Sequence, residues 1–141
     1  MAKNRSKLKR PAVASEQLLT ASLSHRVGSS QNEHPVFCLE FLRPAYCLSK
    51  CDVKEKAALA DTLHELSRLT WSQIQAAPRH GKGCEKIDRA SIKGDSIPLH
   101  ITDDTHLLAF RFFGKAPMVG YRTDRIFHLV WLDRDFTLYS H

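Results

Sequence analysis

No stretch of this chain approaches the ~20 consecutive apolar residues that a membrane-spanning helix needs, so the sequence offers no helical span. The first ten residues hold no acid. They are not followed by the ~7–15-residue apolar segment of a secretory signal, and a cytoplasmic protein is expected. The four cysteines contain no CxxC pair. GxSxG, GxxxxGK[ST] and GxGxxG are also missing, which leaves no signature for a serine hydrolase, a P-loop or a dinucleotide-binding turn. Nothing in the pattern suggests paired catalytic carboxylates.

What is present is one domain's worth of ordinary globular sequence. The 141 residues are 43% hydrophobic and 26% charged, enough apolar content for a real core and against global disorder. The net charge is +6, but Lys3, Arg5, Lys7, Lys9 and Arg10 supply most of it, so the remainder of the chain is close to neutral. Basic, then Ser-, Gln- and Asn-rich composition predicts a flexible tail over residues 1–33 and a single folded domain over residues 34–141.

Within that domain residues 36–42 alternate apolar and polar at period two and predict a first strand. Leu59, Leu63 and Leu66 form a helical stripe behind Asp52, a good N-cap, and predict a helix from Val53 to about Leu69. Thr70-Trp71-Ser72-Gln73 reads as a capping box that opens a short second helix, ended by Pro78. A polar, glycine-bearing loop follows at residues 79–86, and a strand is expected near Ser91-Ile92. The last third of the chain has the densest apolar content. Runs at residues 106–113, 118–121 and 125–132, then 136–139, are separated by Gly, Pro and Asp turns and predict an antiparallel meander. The expected class is α+β, a helical hairpin packed on a mainly antiparallel sheet of about 4–6 strands, behind a disordered basic tail.

Three groups of residues could carry chemistry. Arg79, His80, Lys82 and Lys86 make the 79–86 loop cationic, with Gly81 and Gly83 allowing backbone to approach a phosphate. Arg111, Arg122 and His128 are polar residues embedded in strands. Arg111 lies between Phe110 and Phe112 and so projects to the face opposite those rings. Tyr139 and His141 close the chain, and a histidine there is suited to proton transfer near neutral pH. The plainer readings are a solvated loop, ion pairs at the sheet rim and a frayed end. His34, Cys38, Cys47 and Cys51 have the residue types of a zinc site at loose spacing, and reduced structural thiols are the competing account.

The segments at residues 77–87, 110–122 and 127–139 resemble a small bacterial protein family over about residues 36–141, a likeness that carries no activity with it. More distantly, a helical hairpin followed by a basic loop and an antiparallel sheet is similar to the RelE/YoeB/HigB toxin superfamily of endoribonucleases. That resemblance implies Arg and Lys on the sheet face holding RNA, with His or Tyr near the end of the chain transferring protons. The positions it would use here are Lys82, Arg111, Arg122, Tyr139 and His141. It implies RNA, including ribosome-bound mRNA, and an antitoxin protein as partners.

The expected function is therefore toxin-like endoribonuclease activity by general acid–base chemistry. His141, His128 or His80 would act as base, and Tyr139 or a second histidine as acid. Arg79, Lys82, Lys86, Arg111 and Arg122 would contact phosphate. No metal or other cofactor is expected. The alternative is a non-catalytic protein- or nucleic-acid-binding module whose histidines are structural.

Overall fold

In a computed structural model of the chain, the described residues are 30–141; of the expected tail over residues 1–33, residues 1–29 lie outside them, while Ser30–Asn32 form a 3-10 turn and the Glu33 carbonyl accepts from Trp71 N–H. Helix α1 spans Val53–Ser67 and helix α2 Trp71–Ala76. Both begin with reciprocal capping boxes. Glu55 N–H donates to the Asp52 carboxylate at 2.8 Å while Asp52 N–H donates to Glu55 at 2.9 Å, and Thr70 and Gln73 do the same for α2. Each box satisfies two backbone donors that the first helical turn would otherwise leave unpaired.

Five strands form one sheet: β1 (Val36–Cys38), β2 (Glu85–Ile87), β3 (Leu107–Phe113), β4 (Ala116–Thr123) and β5 (Ile126–Leu132). Their spatial order is β1-β5-β4-β3-β2. β2, β3, β4 and β5 pair antiparallel, whereas β1 lies parallel to β5, with Phe37 opposite Phe127. The class is α+β. A parallel neighbour requires a crossover, and the helices and the 79–86 loop lie between β1 and the rest of the sheet in the chain.

The period of two sorts side chains onto two buried faces. Leu108, Phe110 and Phe112 of β3, Met118 of β4 and Phe127, Leu129 and Leu132 of β5 pack against Leu59, Leu66, Trp71 and Ile74 from the helices. Leu107, Ala109, Val119, Tyr121, Val130 and Trp131 form the opposite face, covered by Tyr46, Ile92, Ile97, Ile101 and Leu138 from loops. Both faces are therefore core. Consecutive residues Val130 and Trp131 share the loop-covered face because the β4–β5 register shifts by one between Val119 and Gly120. Gly120 is required beside this bulge, where a Cβ would collide with the His128 carbonyl.

Three segments depart from the expected strands. The first strand ends at Cys38, because a turn closed by Leu42 N–H to the Leu39 carbonyl diverts the chain. Residues Arg89–Ser91 form a 3-10 turn, capped by the Asp88 side chain on Ala90 N–H. Residues 136–139 do not join the ladder. The buried Asp133 carboxylate accepts from Thr137 N–H at 2.8 Å and Leu138 N–H at 3.2 Å and folds the chain back, with Phe136 at φ 57°. Leu138 is wholly buried and its carbonyl accepts from Lys93 and Gly94 N–H. The final segment is thus held, not frayed.

Candidate functional site

A narrow cleft of about 60 Å³ opens at the β2–β3 edge of the loop-covered face. Arg79, Glu85, Arg111, Lys115, Tyr139 and His141 supply its polar lining. Arg111 reaches it because β3 alternates: Phe110 and Phe112 point to the helices, so Arg111 points away. On β2, Glu85 shares its face with Ile87, which belongs to that same loop-covered core, and Glu85 pairs with Ala109, two residues before Arg111. Lys115 comes from the tight β3–β4 turn, in which Gly114 has φ 57°. Arg79 stands on the turn after α2 and donates to Glu85 Oε1 at 3.1 Å. Gly83 is needed to shape that turn, since a Cβ there would collide with the Ala77 carbonyl.

Asp133 organises the other wall. Besides its two backbone donors, its Oδ2 lies 3.3 Å from His141 Nε2. His141 is further held by the rings of Tyr139 and Phe136, with centroids 4.2 and 5.0 Å away. A ring nitrogen tied to a buried carboxylate has a fixed orientation, and a proton on Nε2 leaves the Nδ1 lone pair to act. Burial, reinforced by the negative charges of Glu85 and Asp133, pushes the Tyr139 phenol up to about 12. Tyr139 is therefore protonated at neutral pH and can donate a hydrogen bond.

Four residues singled out from sequence, Arg79, Arg111, Tyr139 and His141, meet in this cleft. The other five stand elsewhere. Arg122 falls on the helix side of β4, its guanidinium 4.2 Å over the Trp71 ring, and it also bonds the Asp124 carbonyl and Gln31. His128 shares the face of Arg111 but pairs with Tyr121, itself opposite Leu107, four residues from Arg111 along β3. That separation is about 13 Å at ~3.3 Å per residue. Its ring stacks on Tyr121 at 4.6 Å and its buried Nδ1 has no hydrogen-bond partner among the described residues. Burial first, and the neighbouring charge of His100 second, lower its pKa from 6.5. Lys82 pairs with Glu65 of α1, Lys86 points to the face opposite Glu85, and His80 is exposed on the loop.

Three functional candidates carried no sequence signal of their own: Glu85, Lys115 and Asp133. Glu85 sits in a loop-like stretch that turns out to contain β2, and Asp133 looked like an ordinary turn acid. As for metal, among the described residues no three His, Cys, Asp or Glu side chains come together to hold an ion. His34 Nδ1 instead bonds the Leu69 carbonyl at 3.0 Å, and Cys51 is buried in the helix-side core. Compared with known proteins, the chain matches no protein-family model, no curated protein and no solved structure.

Proposed function

We propose that this protein binds RNA at the Arg111 cleft and cleaves it by acid–base chemistry that needs no metal, as a toxin-type endoribonuclease does. The observation that carries this reading is the meeting of Arg79, Arg111, Lys115, Tyr139 and His141 in one cleft, with Asp133 behind the imidazole. Three cations, Arg79, Arg111 and Lys115, against the carboxylates of Glu85 and Asp133 leave these side chains net positive, as suits a phosphodiester. Guanidinium groups in the cleft can stabilise charge that grows on phosphate oxygens, and Arg79 is tied there to Glu85. Tyr139 adds a neutral donor. His141, oriented by Asp133, supplies a ring nitrogen for proton transfer. Arg122, His128, His80, Lys82 and Lys86 have no part in this site.

The test is induced expression of the full chain beside an Arg111→Ala/His141→Ala variant, with growth and total RNA followed together. Arrest and RNA degradation by the wild type alone support the reading. Intact RNA in cells expressing folded wild type removes it, and the cleft is then a site for binding a partner without chemistry.

A further inference from the structure

Away from the cleft, the loop-covered face has one feature that packing does not account for. His128 Nδ1 is buried and has no hydrogen-bond partner among the described residues, whereas a buried polar atom is ordinarily paired. Aromatic rings stand where acceptors would: Tyr121 at 4.6 Å and Phe41 at 5.7 Å between centroids. His100 packs against the same two rings, 4.4 Å from Phe41 and 5.8 Å from Tyr121, and is itself exposed. With the fully exposed Leu99 it forms the tip of a turn closed by Ile101 N–H to the Pro98 carbonyl at 3.0 Å. Ile101 anchors the base of that turn in the core. The His100 side chain has ring contacts and, among the described residues, no hydrogen bond or ion pair. We propose that His128 is a proton sensor, and that its protonation lifts the Leu99–His100 tip off Phe41 and Tyr121. The device does not depend on what the Arg111 cleft does.

The groups that face His128 are His100 from the turn, Tyr121 from β4, Glu40 and Phe41 from the bend after β1, and Cys38 opposite it in the ladder. In a neutral imidazole Nδ1 can hold a lone pair, and its isolation costs one acceptor. In an imidazolium both ring nitrogens carry protons, and Nδ1 becomes a buried charged donor with nothing to bond, a costlier state. Burial, then the charge of His100, opposes that proton, and Glu40 favours it less strongly. Lifting His100 moves the second charge away and gives water a path to Nδ1. The closed turn therefore binds the proton less readily than the open one, and acid shifts the population toward the open form. The shift extends no further than the ratio of the two proton affinities.

The experiment is an NMR titration of the full chain, wild type and His128→Phe, from about pH 7.5 to about pH 4.5, a range that spans imidazole protonation. Ring nitrogen shifts report the protonation of each histidine, and nuclear Overhauser contacts between His100 and the Phe41 ring report closure of the turn. His128 should titrate with a midpoint below 6.5, and the His100–Phe41 contact should be lost with that same midpoint. In His128→Phe the contact should persist to the lowest pH. A wild type in which His128 gains its proton while the contact survives overturns the proposal, as does a His128 midpoint at or above 6.5. Loss of the contact at the same pH in His128→Phe also overturns it, and assigns the opening to His100 itself. Should His128→Phe fail to fold, His128→Leu takes its place, and the two wild-type midpoints still decide: separate values contradict the sensor.

Discussion

Two tyrosine–histidine pairs lie on the same face of the sheet and have opposite characters. Tyr121 and His128 stack nearly parallel, at 4.6 Å and 17°, with Phe41 and His100 packed around them. Tyr139 and His141 meet at 4.2 Å and 40°, but they border Arg79, Arg111, Lys115 and Glu85, and a buried carboxylate holds the imidazole. The first pair has aromatic neighbours and an orphaned ring nitrogen. The second has charged neighbours and a partner at the ring. Residue type is the same in both; the surroundings differ, and on the cleavage reading they single out His141 for proton transfer.

The sharpest way to break this contrast is to remove each imidazole. On the cleavage reading, His141→Ala should lower RNA cleavage by roughly 10²–10⁴-fold, the usual contribution of a general acid or base, whereas His128→Phe should leave it within a few fold. Equal losses, measured on folded protein, would end the distinction between the pairs. Next in size is the support beneath the cleft. Asp133→Ala deprives the buried Leu138 N–H and the neighbouring Thr137 N–H of their acceptor. At ~1–3 kcal/mol for an unsatisfied buried donor, here Leu138 N–H, chemical denaturation should show about 1–3 kcal/mol of lost stability. A loss below ~0.5 kcal/mol, within the range of ordinary surface changes, would mean that the final segment is not held by this carboxylate.

The packed pair makes a pH prediction of its own. The groups facing His128 are His100, Tyr121 and Glu40, with Cys38 opposite it in the ladder. Its folded pKa is depressed below the ordinary 6.5, chiefly by burial. A depressed value means the unfolded chain binds the proton more readily. Stability from this residue is therefore present above pH 6.5 and is lost as pH falls toward and through the lower folded value. Melting temperature from about pH 7.5 down to pH 5 should decline less for His128→Phe than for wild type; parallel curves would exclude His128 as the cause. The smallest effect belongs to Lys82. Its ion pair with Glu65 is half exposed on both sides, so Lys82→Ala should change stability by less than ~1 kcal/mol and leave cleavage unaltered.

The helices and the three long strands could be read from the chain because their signals are local. Asp52 and Glu55, Thr70 and Gln73, and the Leu59–Leu63–Leu66 stripe act within a few residues of one another. The parallel pairing of β1 with β5 depends on contacts across ninety positions, from Val36 to Ile126, and has no local mark. The site was half legible for the same reason. Arg111 is placed by the parity of β3, which alternating Phe110 and Phe112 display openly. Arg122 could have been sorted by the same rule: in the β3–β4 hairpin Arg111 pairs with Pro117, so odd positions of β4 share its face and Arg122 does not. His128 has the right face and the wrong distance along it, which sequence periodicity does not measure. Glu85, Lys115 and Asp133 entered only when β2, the β3–β4 turn and the fold-back of residues 133–138 brought them together.

The most direct test sets two arginines of adjacent strands against each other: purified wild type, Arg111→Ala and Arg122→Ala, each confirmed folded, assayed for cleavage of the same single-stranded RNA. Removing one donor to developing phosphate charge should cost roughly 10²–10³-fold, and the account predicts that loss for Arg111→Ala alone, with Arg122→Ala within a few fold of wild type. A comparable loss from Arg122→Ala, or none from Arg111→Ala, would contradict the placement of the site in this cleft.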